Sequence, residues 1–212
     1  QMEIKHDKVD AVIVGAGAGG GIVAKQLAVA GFKCVLLERG QWPDYDDSPN
    51  DELINQRTHA IRPLHFMDRR KFVDPEKPWI TDSFLNAACV GSGTVTYGAM
   101  AWRFMPQDFK LHTLYPDIKD SALADWPITY DDLEPFYEQA EYEIGVSGDQ
   151  SQNPFAPPRK KDFPMPAFEY NKEDREVLIP AIKRMGFHPY PIPMLRNSVR
   201  YNGRAACLRN HT

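Results

Sequence analysis

The amino-acid sequence predicts an α/β fold, with a parallel sheet and packed helices in an N-terminal part and the start of an α+β region after it. Three observations predict it. A short apolar run passes into clustered glycines at 12–21, a second apolar run follows one helix later at 32–38, and proline becomes frequent beyond position 100. Hydrophobic residues are 42% and charged residues 25% of the 212, the proportions of a chain that buries a core. The composition shift divides the chain into 1–100, compact and punctuated by glycine, and 101–212, where short helices alternate with extended segments.

Residues 9–14 read as a buried strand, 20–30 as a helix rich in small residues, and 32–38 as a second strand, a βαβ unit of ordinary size. Gly31 stands where a helix C-cap belongs. Residues 41–82 carry much charge and no sustained strand alternation, so they read as a long excursion with one short helix near 51–59. In the segment 125–148, Asp131 is expected to cap a helix with Glu134 three residues on and Pro135 in the first turn. Leu133, Phe136, Tyr137, Ala140 and Ile144 then form its apolar face. The five prolines of 153–168 exclude both a helix and a central strand. A further helix is expected from Asn171 as cap to Gly186 as stop, bent at Pro180. Asn202-Gly203 predicts a two-residue hairpin turn. The chain ends without a stop signal and reads as cut off, and an incomplete first half of this kind is expected to leave a hydrophobic sheet edge exposed and to be unstable alone.

The chemistry begins in "VIVGAGAGGG" at 12–21. Gly15 permits a tight turn, Gly17 lets backbone approach a phosphate, and Gly20 lets the helix pack close on the strand, the pattern of a Rossmann-like dinucleotide site. A pyrophosphate is then held by the helix N-terminus. Glu38 ends the second strand, where a carboxylate accepts hydrogen bonds from both ribose hydroxyls. It also disfavours a 2'-phosphate by like-charge repulsion, which Arg39 offsets in part. This motif leaves FAD and NAD equally open.

"VGSGTVTYGAMAWRFMPQDF" at 90–109 and "DWPITYDDLEPFYEQAEYEIGVSG" at 125–148, taken with "LLERG" at 36–40, resemble the glucose-methanol-choline (GMC) oxidoreductases. The resemblance is strongest to the branch of gluconate, fructose and glucose dehydrogenases and pyranose oxidases, and it covers the whole chain in order. It implies FAD as cofactor, a Rossmann-like FAD-binding domain followed by a substrate region, and oxidation of a CH–OH group of a sugar, sugar acid or polyol by hydride transfer to flavin. By position, the resemblance makes Gly15, Gly17 and Gly20 the pyrophosphate glycines and Glu38 the ribose carboxylate. The loop with Gly91, Ser92, Thr94, Thr96, Tyr97 and Gly98 becomes the second flavin motif, where backbone amides stabilise negative charge on the reduced ring.

Ser92 replaces the second glycine usual in that motif, Thr96 stands where some sugar-oxidising relatives have a histidine, and Tyr97 where alcohol oxidases have asparagine. FAD is therefore expected to bind without a covalent bond. The family's base, a histidine, lies in the C-terminal part of a longer chain, so no catalytic residue is assigned here. Trp102, Arg103 and Tyr137 are candidates for substrate positioning, structural by default. The expected partners are the substrate, the C-terminal remainder of the protein and an electron-acceptor subunit. Two alternatives are a non-catalytic dinucleotide-binding module and an NAD-dependent dehydrogenase.

A formal net charge of −4 and no basic block longer than Arg-Arg-Lys at 69–71 argue against nucleic acid. No apolar run approaches the about 18 residues of a membrane span, and the charged start is unlike a secretory signal. A cytoplasmic location is expected, or a periplasmic one if a partner subunit carries the protein across. Cys34, Cys89 and Cys207 have neither disulfide nor metal spacing. Cys207 stands where some relatives open an iron-sulfur site, yet one cysteine holds no cluster, so a buried or structural thiol is expected. None of His6, His59, His65, His112, His188 and His211 has metal-ligand spacing.

Overall fold

The structure is a computed structural model that describes residues 8–42, 67–72, 79–87, 89–95 and 97–207. The expected helix at 51–59 lies outside the described residues, as do Thr96 and four of the histidines. The chain forms two compact units, one up to Gly98 and one from Ala99 to Leu208.

The first unit opens with β1 (Ala11–Val14), α1 (Ala18–Val29) and β2 (Cys34–Leu37). β1 and β2 pair in parallel, Ala11 opposite Cys34 and Val14 opposite Leu37, as βαβ winding requires. Gly31 follows the helix at φ 89° and closes it through its amide to Ala28. Parallel strands of this composition are ordinarily covered on both faces. Here Val12, Val14 and Leu37 are 58%, 82% and 52% exposed.

The excursion differs from expectation. β3 (Met67–Phe72) and β4 (Trp79–Ala87) form an antiparallel ribbon with a register shift between Met67 and Asp68. β3 falls inside the stretch expected to lack strands. "MDRRKF" carries charge at both alternating positions, so the ladder that defines it leaves no period-two hydrophobic signal.

The second unit contains α2 (Leu111–Leu114), α3 (Tyr130–Ala140), the two-residue strands β5 (Ser147–Gly148) and β6 (Met165–Pro166), and α4 (Ile179–Arg184). Two expectations about α3 are corrected. Thr129, not Asp131, caps it: the Thr129 Oγ1 accepts from the Asp132 amide and the Asp132 carboxylate accepts from the Thr129 amide at 2.8 Å. The helix therefore starts two residues early and Pro135 lies inside it, beyond the first turn. The buried face is also a different one. Phe136 is 65% exposed, whereas Tyr130, Glu134 and Glu141 are buried, because their partners are arginines rather than an apolar layer.

Asn171 caps its helix as expected, accepting from the Asp174 amide at 2.7 Å. The helix is not uniform: a widened turn over Asp174–Leu178 precedes α4, in whose first turn Pro180 lies, where a missing amide is tolerated. Asn202 and Gly203 adopt φ 46° and 77° between the paired Tyr201 and Arg204, the turn predicted for that dipeptide.

Candidate functional site

The turn from β1 into α1 is built by backbone conformation. Gly15 sits at φ 93° and donates to the Leu37 carbonyl at 2.7 Å, which ties the turn to the end of β2. Gly17 precedes the helix without any side-chain cap, and the first turn holds no acidic residue. The amides of Ala18, Gly19 and Gly20 thus have no partner within the helix, and the positive end of the helix dipole faces the turn. A Cβ at Gly20 would lie 1.9 Å from the Gly15 carbonyl oxygen, so only glycine allows helix and turn to approach this closely.

Glu38 reaches back across the turn. One oxygen accepts from the Ala16 amide at 2.7 Å and the other from the Gly40 amide at 2.9 Å. Above all the Ala16 amide, then that of Gly40, holds its carboxyl below the usual carboxylate range. The Arg39 amide acts more weakly in the same direction, and a carboxylate with about four acceptor sites keeps room for a further donor. Arg39, beside it, is exposed.

The second glycine loop joins this turn. The Gly91 amide donates to the Ala16 carbonyl at 2.9 Å, and the Val90 amide to the Gln41 carbonyl at 3.0 Å. Gly91 lies at φ 97° and leads into a tight turn over Ser92–Val95, in which the Thr94 amide and hydroxyl both hydrogen-bond the Gly91 carbonyl. Ser92 takes φ 51°, the left-handed region that glycine enters freely, so the serine stands at a position built for glycine. Tyr97 donates its amide to Gly93, burial pushes its hydroxyl pKa up, and Gly98 follows at φ 89°.

The residues fit a dinucleotide. A Cβ on Gly17 would stand 3.5 Å from the Ser92 Cβ, at ordinary contact distance in the gap between the two loops. Of the residues proposed from sequence, Gly15, Gly17, Gly20, Glu38, Gly91, Ser92 and Thr94 are brought together. Ala16, Gly40 and Cys89 were missed. Ala16 and Gly40 act only through their backbones, which no side-chain signal reports. Cys89 is fully buried where it bridges Gln41, and burial raises its thiol pKa.

In the second unit, Arg103 makes two 2.8 Å hydrogen bonds to the Glu141 carboxylate, and its Nη1 donates to the Tyr130 hydroxyl at 3.1 Å and Glu134 at 3.3 Å. Burial opposes its charge, but the bonds to Glu141 and Tyr130 more than offset that and raise its pKa. Arg159 pairs with Glu141 at 2.6 Å, and the Lys160 amide donates to Glu134 at 3.1 Å. Tyr137 stacks on Tyr130 with the Arg103 guanidinium 5.5 Å from its ring centre. These contacts give Arg103 and Tyr137 packing roles. Trp102, Arg103, Arg159 and Tyr190 line a cleft with about 30 Å³ of free volume, room for about one water and far below the about 300 Å³ of small-molecule sites.

Cys207 is half-buried, with the Arg196 Nη2 2.8 Å from its sulfur and its amide donating to the Asn197 carbonyl at 2.8 Å. His112 and His188 are exposed, and no cluster of metal-ligating side chains exists among the described residues.

The geometry defines a class: α/β proteins that hold a dinucleotide on the turn between a strand and the helix after it. Comparison with known proteins narrows it. The chain is 31% identical to the fructose dehydrogenase large subunit of Gluconobacter japonicus over 95% of its own length and 39% of that protein's. It is 31% identical to the gluconate 2-dehydrogenase flavoprotein of Pantoea cypripedii (92% and 36%) and 30% identical to paromamine 6'-oxidase of Streptomyces fradiae (95% and 33%). Among solved structures, a fungal aryl-alcohol oxidase matches with a TM-score of 0.52 at 19% identity, covering 92% of this chain and 35% of that one. Pyridoxine 4-oxidase from Mesorbium loti matches with 0.51 at 16%, covering 92% and 38%. No family model matches the sequence. The chain belongs to the GMC oxidoreductases and spans their N-terminal portion, 33% to 39% of the length of these three relatives. FAD is the expected cofactor.

Proposed function

We propose that the chain is the FAD-holding N-terminal portion of a dehydrogenase that oxidises a CH–OH group of a sugar, sugar acid or polyol. The observation that carries this reading is the joining of the two glycine loops at Ala16 and Gly91, in a chain similar throughout its length to the fructose dehydrogenase large subunit. When bound, FAD supplies the acceptor for the hydride leaving the alcohol carbon.

The chain's own residues bind and orient. The amides of Ala18, Gly19 and Gly20 donate to the diphosphate, and Glu38 accepts from the adenosine ribose, with Arg39 beside it. The backbone of the Gly91–Gly98 loop lies along the flavin, where its donors favour negative charge on the reduced ring. Thr96, in place of a histidine, leaves the flavin without a covalent anchor. The base that takes the alcohol proton belongs to the rest of the protein.

Further strands of the longer protein cover the open faces of β1 and β2. No helix among the described residues is long and apolar enough to cross a membrane. Since the fructose dehydrogenase relative is named as a large subunit, we also propose an electron-acceptor subunit as partner, with the protein cytoplasmic or carried to the periplasm with that subunit.

The test is the visible spectrum of the full-length protein, held anaerobically, before and after addition of fructose, gluconate or a polyol. A two-banded flavin spectrum bleached by one of these substrates is expected. A colourless protein, or one that reduces only added nicotinamide, overturns the reading.

A further inference from the structure

The hydrogen bonds around Ala16 connect the turn between β1 and α1, and the end of β2, with the second glycine loop. The Ala16 amide donates to Glu38 at 2.7 Å, and its carbonyl accepts from Gly91 at 2.9 Å. The other Glu38 oxygen accepts from Gly40 at 2.9 Å, and the next residue, Gln41, accepts from Val90 at 3.0 Å. Two routes thus run from one carboxylate to the start of the second glycine loop, each of a single residue or a neighbouring pair. Ala16 is buried, so loss of either partner leaves a peptide group without water to replace it.

We infer that Glu38 is a positioning residue for the flavin loop at 89–98 as well as a ligand of the ribose. The inference rests on the FAD reading for its consequence, not for its geometry. A ribose that engages Glu38 fixes the carboxylate, the carboxylate fixes the Gly15–Gly17 turn, and the turn fixes Gly91. Recognition of the adenosine half therefore orders the loop that meets the isoalloxazine half. Ser92 at φ 51° is the kind of strained position that such outside support maintains.

Glu38→Gln tests this in the full-length protein, because the amide nitrogen that replaces one oxygen cannot accept from Ala16 or Gly40. Without flavin, amide exchange at 15–17, 39–41 and 89–95 is expected to quicken about tenfold, with 22–29 of α1 unchanged. At saturating FAD, the flavin's visible circular dichroism is expected to change. Unchanged exchange at 89–95 overturns the inference, as does faster exchange across α1 as well, or a flavin signal identical to that of the parent.

If Glu38→Gln does not fold, exchange of the parent protein in rising denaturant decides. The amides of Ala16, Gly40 and Gly91 are expected to open as one unit, and separate openings overturn the inference. The exchange arms use no flavin, so a failure of the FAD reading leaves their outcome intact and separately legible.

Discussion

The two units are held by different physics. In the first, the candidate site is made of backbone: glycines at positive φ, uncapped helix amides and peptide groups exchanged with one carboxylate. Around it Val12, Val14 and Leu37 stay exposed. In the second, Arg103, Glu134, Glu141 and Arg159 are buried together and paired within 3.3 Å. A substitution in the first unit therefore acts through φ, an added Cβ or a lost backbone hydrogen bond, and reaches ligand binding through the shape of the two glycine loops. One in the second acts through an uncompensated buried charge and is read in stability.

That contrast is broken most forcefully by Arg103→Ala. Its removal leaves two buried carboxylates short of a partner, and a loss of about 3–5 kcal/mol is expected in denaturant unfolding of the full-length protein. A loss below about 1 kcal/mol would mean that water already compensates these charges.

Gly20→Ala comes next. Its Cβ must displace the Gly15 carbonyl, at a cost of about 1–3 kcal/mol, seen as roughly 10- to 100-fold weaker FAD binding in fluorescence titration. Unchanged affinity would detach the turn from the cofactor.

A smaller effect concerns pH. The folded-state pKa of Glu38 is lowered, so the stabilisation it brings is present above the ordinary carboxylate value and is lost only as pH falls through the lowered one. FAD retention is expected to stay level down through about pH 4.3 and to fall below it. A fall centred at the ordinary value would contradict the two amide bonds.

Ser92→Gly sharpens the comparison at the other end. Relief of φ 51° is expected to add about 0.5–1 kcal/mol to stability in thermal unfolding. Destabilisation would show that the serine side chain contributes more than the strain costs.

Legibility in the sequence followed the same division. The β1–α1–β2 unit, the glycine turn, the place of Glu38 at the end of β2, the Asn171 cap and the Asn202-Gly203 turn were readable because each signal is local and each residue type answers a local backbone demand. The Arg103 network was not, since its partners lie 31 and 38 residues away and only the fold makes them neighbours. The same network explains the misread face of α3, where burial follows Glu134 and Glu141 rather than Phe136 and Ile144. β3 escaped because charge stands on both of its alternating sets, and the α3 cap because Asp131 and Asp132 lie beside Thr129 and offer competing capping patterns.

The central claim is that the turn built by Gly15, Gly17 and Gly20 holds FAD. Acid denaturation of the full-length protein, with identification and quantification of the nucleotide set free, tests it most directly. The expected result is about one FAD per chain in the supernatant with a colourless pellet, and FAD strongly depleted in Gly20→Ala. Release of NAD, or of no dinucleotide at all, would contradict the account.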